Sequence, residues 1–420
     1  MRIIFLPPDE HPISLRYPRM MAAIANVEVL VPPNNTPRNT RNLAEWLTSH
    51  AKLADACLIS VESIFYGGVS RAALDDSSAW EALRGMDALK SLRLPKRPLY
   101  LSNVIPPMHP ISPDRSPNER YAILRRRSRD AAINRALLSA ADHFDLLALA
   151  TSDEQLPTDL IALRDSLGFT ERVLFTAGMD SLHSVMIARW INTQWSSPPR
   201  VFVQLTSAQA NESLIAAIHT QIMAVGALPT DSAYEADLYL VVNPPPEEGQ
   251  DRAARKKALK RAVTRAKVHA ESGRRVGVAD IARPRGADPD LIEQLFTHFP
   301  VSRLAVYAGT HFGSSLGFAL AAGTIPPRNE AARRDWLAHR LLEDWAFQSV
   351  VRDHLGRTFG PMDDPITLNL RLPDVLESVQ SMLTTSAQML KAHGLCYHVS
   401  SLKLPYNRLD EVDFELVACE

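Results

Sequence analysis

Two acidic side chains stand next to each other in the run ALATSDEQLP: Asp153 and Glu154. Adjacent carboxylates at a strand end repel when both are ionised, so one of the two pKa values should rise. A raised and an unraised carboxyl side by side suit general acid/base work or substrate orientation. They also suit a divalent cation in company with Asp9 or Asp280. Other polar groups follow apolar runs in the same way: Asp9 with Arg16 after RIIFLP, Glu62 with Tyr66 after ACLIS, Asp180 with His183 after RVLFTAG, Asp280 closing RVGVAD, and His311 after RLAVYAG. Each has a plainer reading. Asp9, Asp153 and Asp180 would cap helices, Glu154 and His183 would be exposed, and Gly67-Gly68 would be only a turn. The argument for a site is their concentration at strand ends.

The elements that position them follow from hydrophobic pattern. Apolar runs begin at Arg2, Val27, Ala56, Pro98, Asp145, Arg172, Arg200, Leu238, Arg275 and Arg303. Most are continuously apolar rather than alternating, as expected of strands buried on both faces of a parallel sheet. Amphipathic stretches such as DLIALRDSL, SLIAAIHTQIMAVG and DPDLIEQLFTHF lie between them, so the class is α/β. In such sheets ligands bind outside the carboxyl ends of the strands, where these acids fall. We expect two doubly wound parallel-sheet halves around a cleft, residues 1–152 and 153–325, with a closed (β/α) barrel as the alternative. From 326 to 420 two long helical patterns and an alternating hairpin around Asn407-Arg408 predict a C-terminal α+β appendage.

Several classes are excluded. The chain has no G-x-G-x-x-G after a strand, no P-loop lysine beside Gly309 and Gly313, no H-E-x-x-H, no G-x-S-x-G and no zinc-spaced Cys/His cluster. In that stretch Ser314 or Ser315 would cap the helix that continues LGFALAAG. A net charge of −1 gives no global field for nucleic acid or an anionic membrane. The basic run from Asp251 to Arg275 reads as a solvated helix face, with an anion- or RNA-binding face as the sharper alternative. Hydrophobic residues at 46% and charged residues at 22% are ordinary for a soluble globular chain, and no apolar run is long enough for a membrane span. The N-terminal apolar run is too short for a signal peptide and reads as a first strand. Cys57, Cys396 and Cys419 are widely spaced and odd in number, which predicts no disulfide and a reducing, cytoplasmic setting.

Ordered motifs from end to end resemble the bacterial family called domain of unknown function 4127. LPPDEHP is similar to its opening P-L-D-x-R-P, ISVESIFYGGVSR to S-L-D-M-L-x-Y-G-G-L, RRRSRDAAIN to R-R-x-R-N, and ALATSDEQLP to D-D-x-A-P. GMDS is similar to G-A-D-E, VADIARPRGAD to D-V-A-x-x-N-G-A-D, the loop at 307–317 to Y-A-G-W-N-T-x-G-N-x-L-G, and LPYNRLDEVDFEL to P-W-N-R-T-F-E. The resemblance implies a large α/β protein, enzymatic in character, and adds Asn407 and Arg408 to the candidates. Its paired acids and Asn-rich loops are similar to those of retaining glycosidases acting on N-acetyl sugars, an analogy only. Glu62 stands in place of an aspartate, Ser181 of a glutamate, Arg285 of an asparagine and Tyr406 of a tryptophan. Thr310-His311 stands near a Trp-Asn pair in a loop one residue shorter. Such changes imply a different substrate or lost activity.

The expected function is a hydrolase of glycosidase type acting on a small, polar, sugar-like molecule. Asp153, Glu154, Asp9 and Glu62 are the catalytic candidates. Arg16, Tyr66, Asp180, His183, Asp280, His311, Asn407 and Arg408 are the substrate-binding candidates. No cofactor is expected, although His11, His183 or His311 with the acids could hold a divalent metal. No nucleic-acid or membrane partner is expected. The alternatives are a metal-assisted lyase, isomerase or transferase, and a non-catalytic binding protein on an altered enzyme scaffold.

Overall fold

The computed structural model describes residues 1–33, 40–91, 97–106, 110–151, 157–207, 212–360 and 365–419. Six parallel strands build the first sheet: β1 (Arg2–Leu6), β2 (Glu28–Leu30), β3 (Ala56–Ser60), β4 (Leu99–Ile105), β5 (Leu146–Thr151) and β6 (Val173–Ala177), in the order β2-β1-β3-β4-β5-β6. Five more build the second: β7 (Arg200–Leu205), β8 (Leu228–Pro229), β9 (Leu238–Asn243), β10 (Arg275–Asp280) and β11 (Val306–Ala308), in the order β11-β10-β9-β7-β8. The antiparallel strands β12 (Tyr397–Lys403) and β13 (Asp413–Ala418) form the C-terminal hairpin. Residues 3–6 of β1 and all of β3, β5 and β9 are buried, which is why they read as unbroken apolar runs.

Both large sheets repeat one winding. The first strand sends the chain outward to an edge strand, then back to its other side for the remaining strands. Right-handed crossovers then place helices on both faces, and each sheet has a switch point beside its first strand, β1/β3 and β7/β9. Both sheets are open; neither closes into a barrel. One strand corrects the sequence division at residue 153: β6 pairs with β5 and completes the first sheet. A continuous apolar run reports burial on both faces but not which strand lies beside it.

The chain divides into two compact units, residues 1–22 with 26–187, and residues 23–25 with 188–420. In the first, one face of the sheet buries Ile4, Leu6, Cys57, Leu101, Leu147 and Val173 against Leu43, Leu47, Ile133 and Leu137 of the helices. In the second, Tyr239, Val278 and Tyr307 share a core with Leu337, Trp345, Leu383 and Phe414. The C-terminal helices and hairpin are therefore built into the core of the second sheet. The helical pattern after Pro327 forms as Glu330–Arg340, a π-helical stretch Leu341–Val351 and Arg352–Phe359.

The cysteine reading is corrected here. Cys396 and Cys419 form a disulfide, because the antiparallel hairpin returns the chain to its start and brings two residues 23 apart in sequence to a Cα separation of 5.4 Å. Cys57 is free and buried. No described helix is long and apolar enough to cross a membrane.

Candidate functional site

A cavity of about 460 Å³ lies at the carboxyl edge of the first sheet. Its walls come from the segment after β3 (Glu62, Tyr66), the end of β4 and the residue after it (Asn103, Val104, Pro106), the segment after β6 (Met179), and from Arg126, Arg127 and Asp130 on the helix Pro117–Ser139. That size suits a small ligand.

Local sequence explains the walls. Ser60 ends β3 and caps the helix Val61–Tyr66, its hydroxyl accepting from the Ser63 N–H at 3.4 Å. Glu62 and Tyr66 are four residues apart, so they share a helix face. Gly67 and Gly68 end this helix with φ of 79° and 132°. A Cβ on Gly68 would sit 2.8 Å from the Pro8 carbonyl oxygen, and the Val69 N–H donates to that oxygen at 2.9 Å. The Gly-Gly turn thus clamps the segment against the end of β1. It also fills the β1/β3 switch point with the protein's own chain, since Ser63 Oγ donates to the Pro7 carbonyl as well. The cavity opens beside the switch point, past β3. On the helix Pro117–Ser139, started by a Ser116/Glu119 capping box, residues 123, 126, 127, 130 and 133 recur at helical spacing and face the cavity.

Glu62 is buried, with 7% exposure. Ser60 Oγ donates to its Oε2 at 2.6 Å and the Val104 N–H donates to its Oε1. Burial pushes its pKa up; those hydrogen bonds pull the other way, and the Asp130 charge adds to the rise. Asp130 is raised too, first by burial, against the stabilising charge of Arg129, which donates to Asp130 Oδ1 at 2.9 Å. Two mutually repelling carboxyls therefore face one cavity, the more buried of them without a cationic partner among the described residues. Tyr66 is raised as well, chiefly by burial, and its buried hydroxyl has no hydrogen-bond partner among the described residues.

The remaining sequence candidates divide between the units. Asp153 and Glu154 lie outside the described residues. Asp9 is half-buried in the loop after β1 and accepts from the His11 N–H at 3.0 Å, an Asx turn. Arg16 is half-buried on the helix Pro12–Ile24, and Asp180 is half-buried on the turn Met179–Ser181, next to the cavity-lining Met179. His183 is core: 4% exposed, tilted against Phe5 and bonded to Ser102 Oγ at 2.8 Å. Burial drives its pKa down to about 3, so it stays neutral.

In the second unit Asp280 is 1% exposed and its oxygens are occupied. Oδ1 accepts from Asn243 Nδ2 at 2.9 Å, and Oδ2 accepts from the Asp288 N–H at 2.7 Å and the Tyr307 hydroxyl at 3.2 Å. Burial lifts its pKa to about 6. Thr206 Oγ1 donates to Asn243 Oδ1 at 2.8 Å across the β7/β9 switch point, so this edge is braced by its own side chains. His311 is the half-buried N-cap residue of the helix Phe312–Thr324 and makes no side-chain cap bond. Ser314 and Ser315 lie inside the helix with buried hydroxyls, so neither is its N-cap. Asn407, at φ 51°, donates to Asn369 Oδ1 at 2.7 Å in the hairpin turn, and Arg408 beside it is exposed.

Asp130 and Asn103 are wall residues that the sequence reading did not single out. The signal available was helical spacing: Arg126, Asp130 and Ile133 fall on one face of a helix that otherwise looks uniformly charged. Among the described residues no three His, Cys, Asp or Glu side chains gather as a metal site.

Fold and site together define a doubly wound α/β protein with two open parallel sheets and, at the carboxyl edge of the first, a largely apolar cavity that holds two acids and two arginines. The chain belongs to the family described as Protein of unknown function (DUF4127), whose profile matches residues 3–128 and 119–415. No curated protein matches it. Among solved structures, a C2-type ketoreductase from a modular polyketide synthase is 12% identical, covering 80% of this chain and 78% of its own, at a TM-score of 0.22.

Proposed function

We propose that the cavity is the active site of a hydrolase acting on a small, polar, sugar-like substrate, with Glu62 and Asp130 as its acid/base pair. The observation that carries this reading is the coupling of two carboxyls, both raised mainly by burial, across one cavity. Glu62, shielded and without a cation of its own, holds its proton to higher pH and protonates the leaving oxygen. Asp130, steadied by Arg129, stays ionised and takes the proton of an attacking water. Tyr66, Asn103, Arg126 and Arg127 orient substrate hydroxyls. The reading needs no cofactor; a divalent ion is tested by adding EDTA to the assay.

A second reading is a ligand-binding protein without turnover. What favours it is that both Glu62 oxygens already accept hydrogen bonds from the protein. A panel of neutral, amino and acidic aryl glycosides separates the two. The hydrolase reading expects turnover that Glu62→Gln lowers by about 10²- to 10⁴-fold with KM little changed. Asp153→Asn, assayed in parallel, tests the paired acids after β5. Saturable sugar binding without turnover by the unaltered protein would sink the hydrolase reading and leave the second.

A further inference from the structure

The second unit carries a pocket of about 480 Å³ at the opposite, amino-terminal edge of its sheet, where β10 starts. Four arginines line it: Arg274, Arg275, Arg303 and Arg333, with Glu271 and Glu330 as the only acids among its described wall residues. The charges are not balanced in place. Glu330 is taken by Arg333, whose Nε donates to Glu330 Oε2 at 2.8 Å. Glu271 lies 3.7 Å from Lys267.

The other three guanidiniums have no carboxylate at ion-pair distance among the described residues. Arg274 donates to the carbonyls of Ala233 and Tyr234 and lies 5.2 Å from the Tyr234 ring centroid. Arg275 donates to the carbonyls of Ala322, Thr324 and Ile325, at the end of the helix Phe312–Thr324. Its Nε is buried and unpartnered among the described residues. Arg303 is exposed, and its side chain makes no hydrogen bond or ion pair among them. Burial holds Arg275 down to about 10; the Asp237 carboxylate pulls it back up, and the neighbouring Arg333 charge pushes it down. Like charges gathered beside an open pocket, one of them with an idle buried donor, are stabilised by an anion placed between them.

We infer that this pocket binds a small oxyanion, the phosphoryl or carboxylate group of a metabolite, between Arg275 and Arg303. Planar donor forks match both groups. The pocket also gives the basic run from Asp251 to Arg275 a role at its C-terminal end, whereas its N-terminal part is tied into ion pairs such as Lys256–Glu293 at 2.7 Å.

Titration calorimetry of the full chain with inorganic pyrophosphate and, separately, citrate tests this. One equivalent of at least one probe should bind, more weakly as salt is added. Arg303→Ala should weaken binding about tenfold and Arg303→Glu should abolish it, while Arg303→Lys retains part. The Arg303 side chain is exposed and bonded to nothing described, so these variants should keep the thermal midpoint of the unaltered protein. Tighter pyrophosphate assigns the site to phosphoryl groups; tighter citrate assigns it to carboxylates. No saturable binding of either probe, or binding that Arg303→Glu leaves unchanged, overturns the proposal.

Discussion

Arg129 lies over the ring of Tyr66, its guanidinium carbon 4.5 Å from the ring centroid. Only 2% of Arg129 is exposed, and its nitrogens donate to the Ala72 carbonyl at 3.0 Å, the Asp75 carbonyl at 2.8 Å and Asp130 at 2.9 Å. One side chain thus fixes three parts of the cavity wall: the aromatic ring, the acid and the short helix Val69–Ala72. Arg129→Ala leaves buried carbonyls unpaired, so urea unfolding should show a loss of about 3 kcal/mol. Arg129→Lys should recover part of it, because one ammonium cannot replace the fork. An unchanged urea midpoint in Arg129→Ala would remove Arg129 from this role.

Tyr66 sets stability against function. Its hydroxyl is buried without a partner among the described residues, and an unmet donor costs about 1–3 kcal/mol. Tyr66→Phe should therefore raise stability by about 1 kcal/mol while weakening ligand binding or kcat/KM about tenfold. A variant that gains stability and keeps full binding would show that the hydroxyl does not meet the ligand.

The fold was largely legible in the sequence, because burial on both faces writes itself as unbroken apolar runs such as RIIFLP and LLALAT. The edge strand β8 was not, since Leu228 and Pro229 are exposed and carry no apolar pattern. The carboxyl edge and Glu62 were legible through strand-end position. Asp130 was not: among six neighbouring arginines it reads as a solvated charge, and only the crossover after β4 brings it beside Glu62. His183 shows the converse. Its strand-end position suggested contact with substrate, while the apolar run from Leu182 to Ile191 that surrounds it is what buries it. The disulfide escaped because hairpin register, not cysteine spacing, brings its ends together.

Glu343 is a pH probe of the second unit. It is 4% exposed within the π-helical stretch; Gln348 Nε2 donates to its Oε1 at 3.1 Å, and its Oε2 has no partner among the described residues. Burial lifts its pKa to about 8, against the pull of Arg340. A carboxyl whose pKa is raised on folding favours the folded state below its unfolded value, and that advantage is lost as pH rises through the folded value. The stability contribution of Glu343 should thus be intact near pH 4 and fall progressively toward about pH 8. Glu343→Gln, neutral throughout, should match the unaltered protein in calorimetric midpoint at low pH and exceed it above about pH 8. Parallel pH profiles for the two proteins would contradict the assignment.

The cysteines give a count that needs no activity. Cys57 is buried, and burial raises its pKa to about 11, so it presents almost no thiolate at neutral pH. Cys396 and Cys419 are joined. Intact-mass measurement after alkylation should therefore find no modified cysteine in the folded protein, one after unfolding without reductant, and all three after unfolding with it. The hairpin bond closes a loop of 23 residues, for which chain entropy sets a ceiling of about 3 kcal/mol. Cys396→Ser with Cys419→Ser should lower the thermal midpoint within that ceiling. Tyr397, beside Cys396, donates its hydroxyl to Asp335 at 2.8 Å and still ties β12 to the core, so the double variant should fold. Three alkylated cysteines after unfolding without reductant would mean that the pair stays reduced in the setting from which the protein was taken.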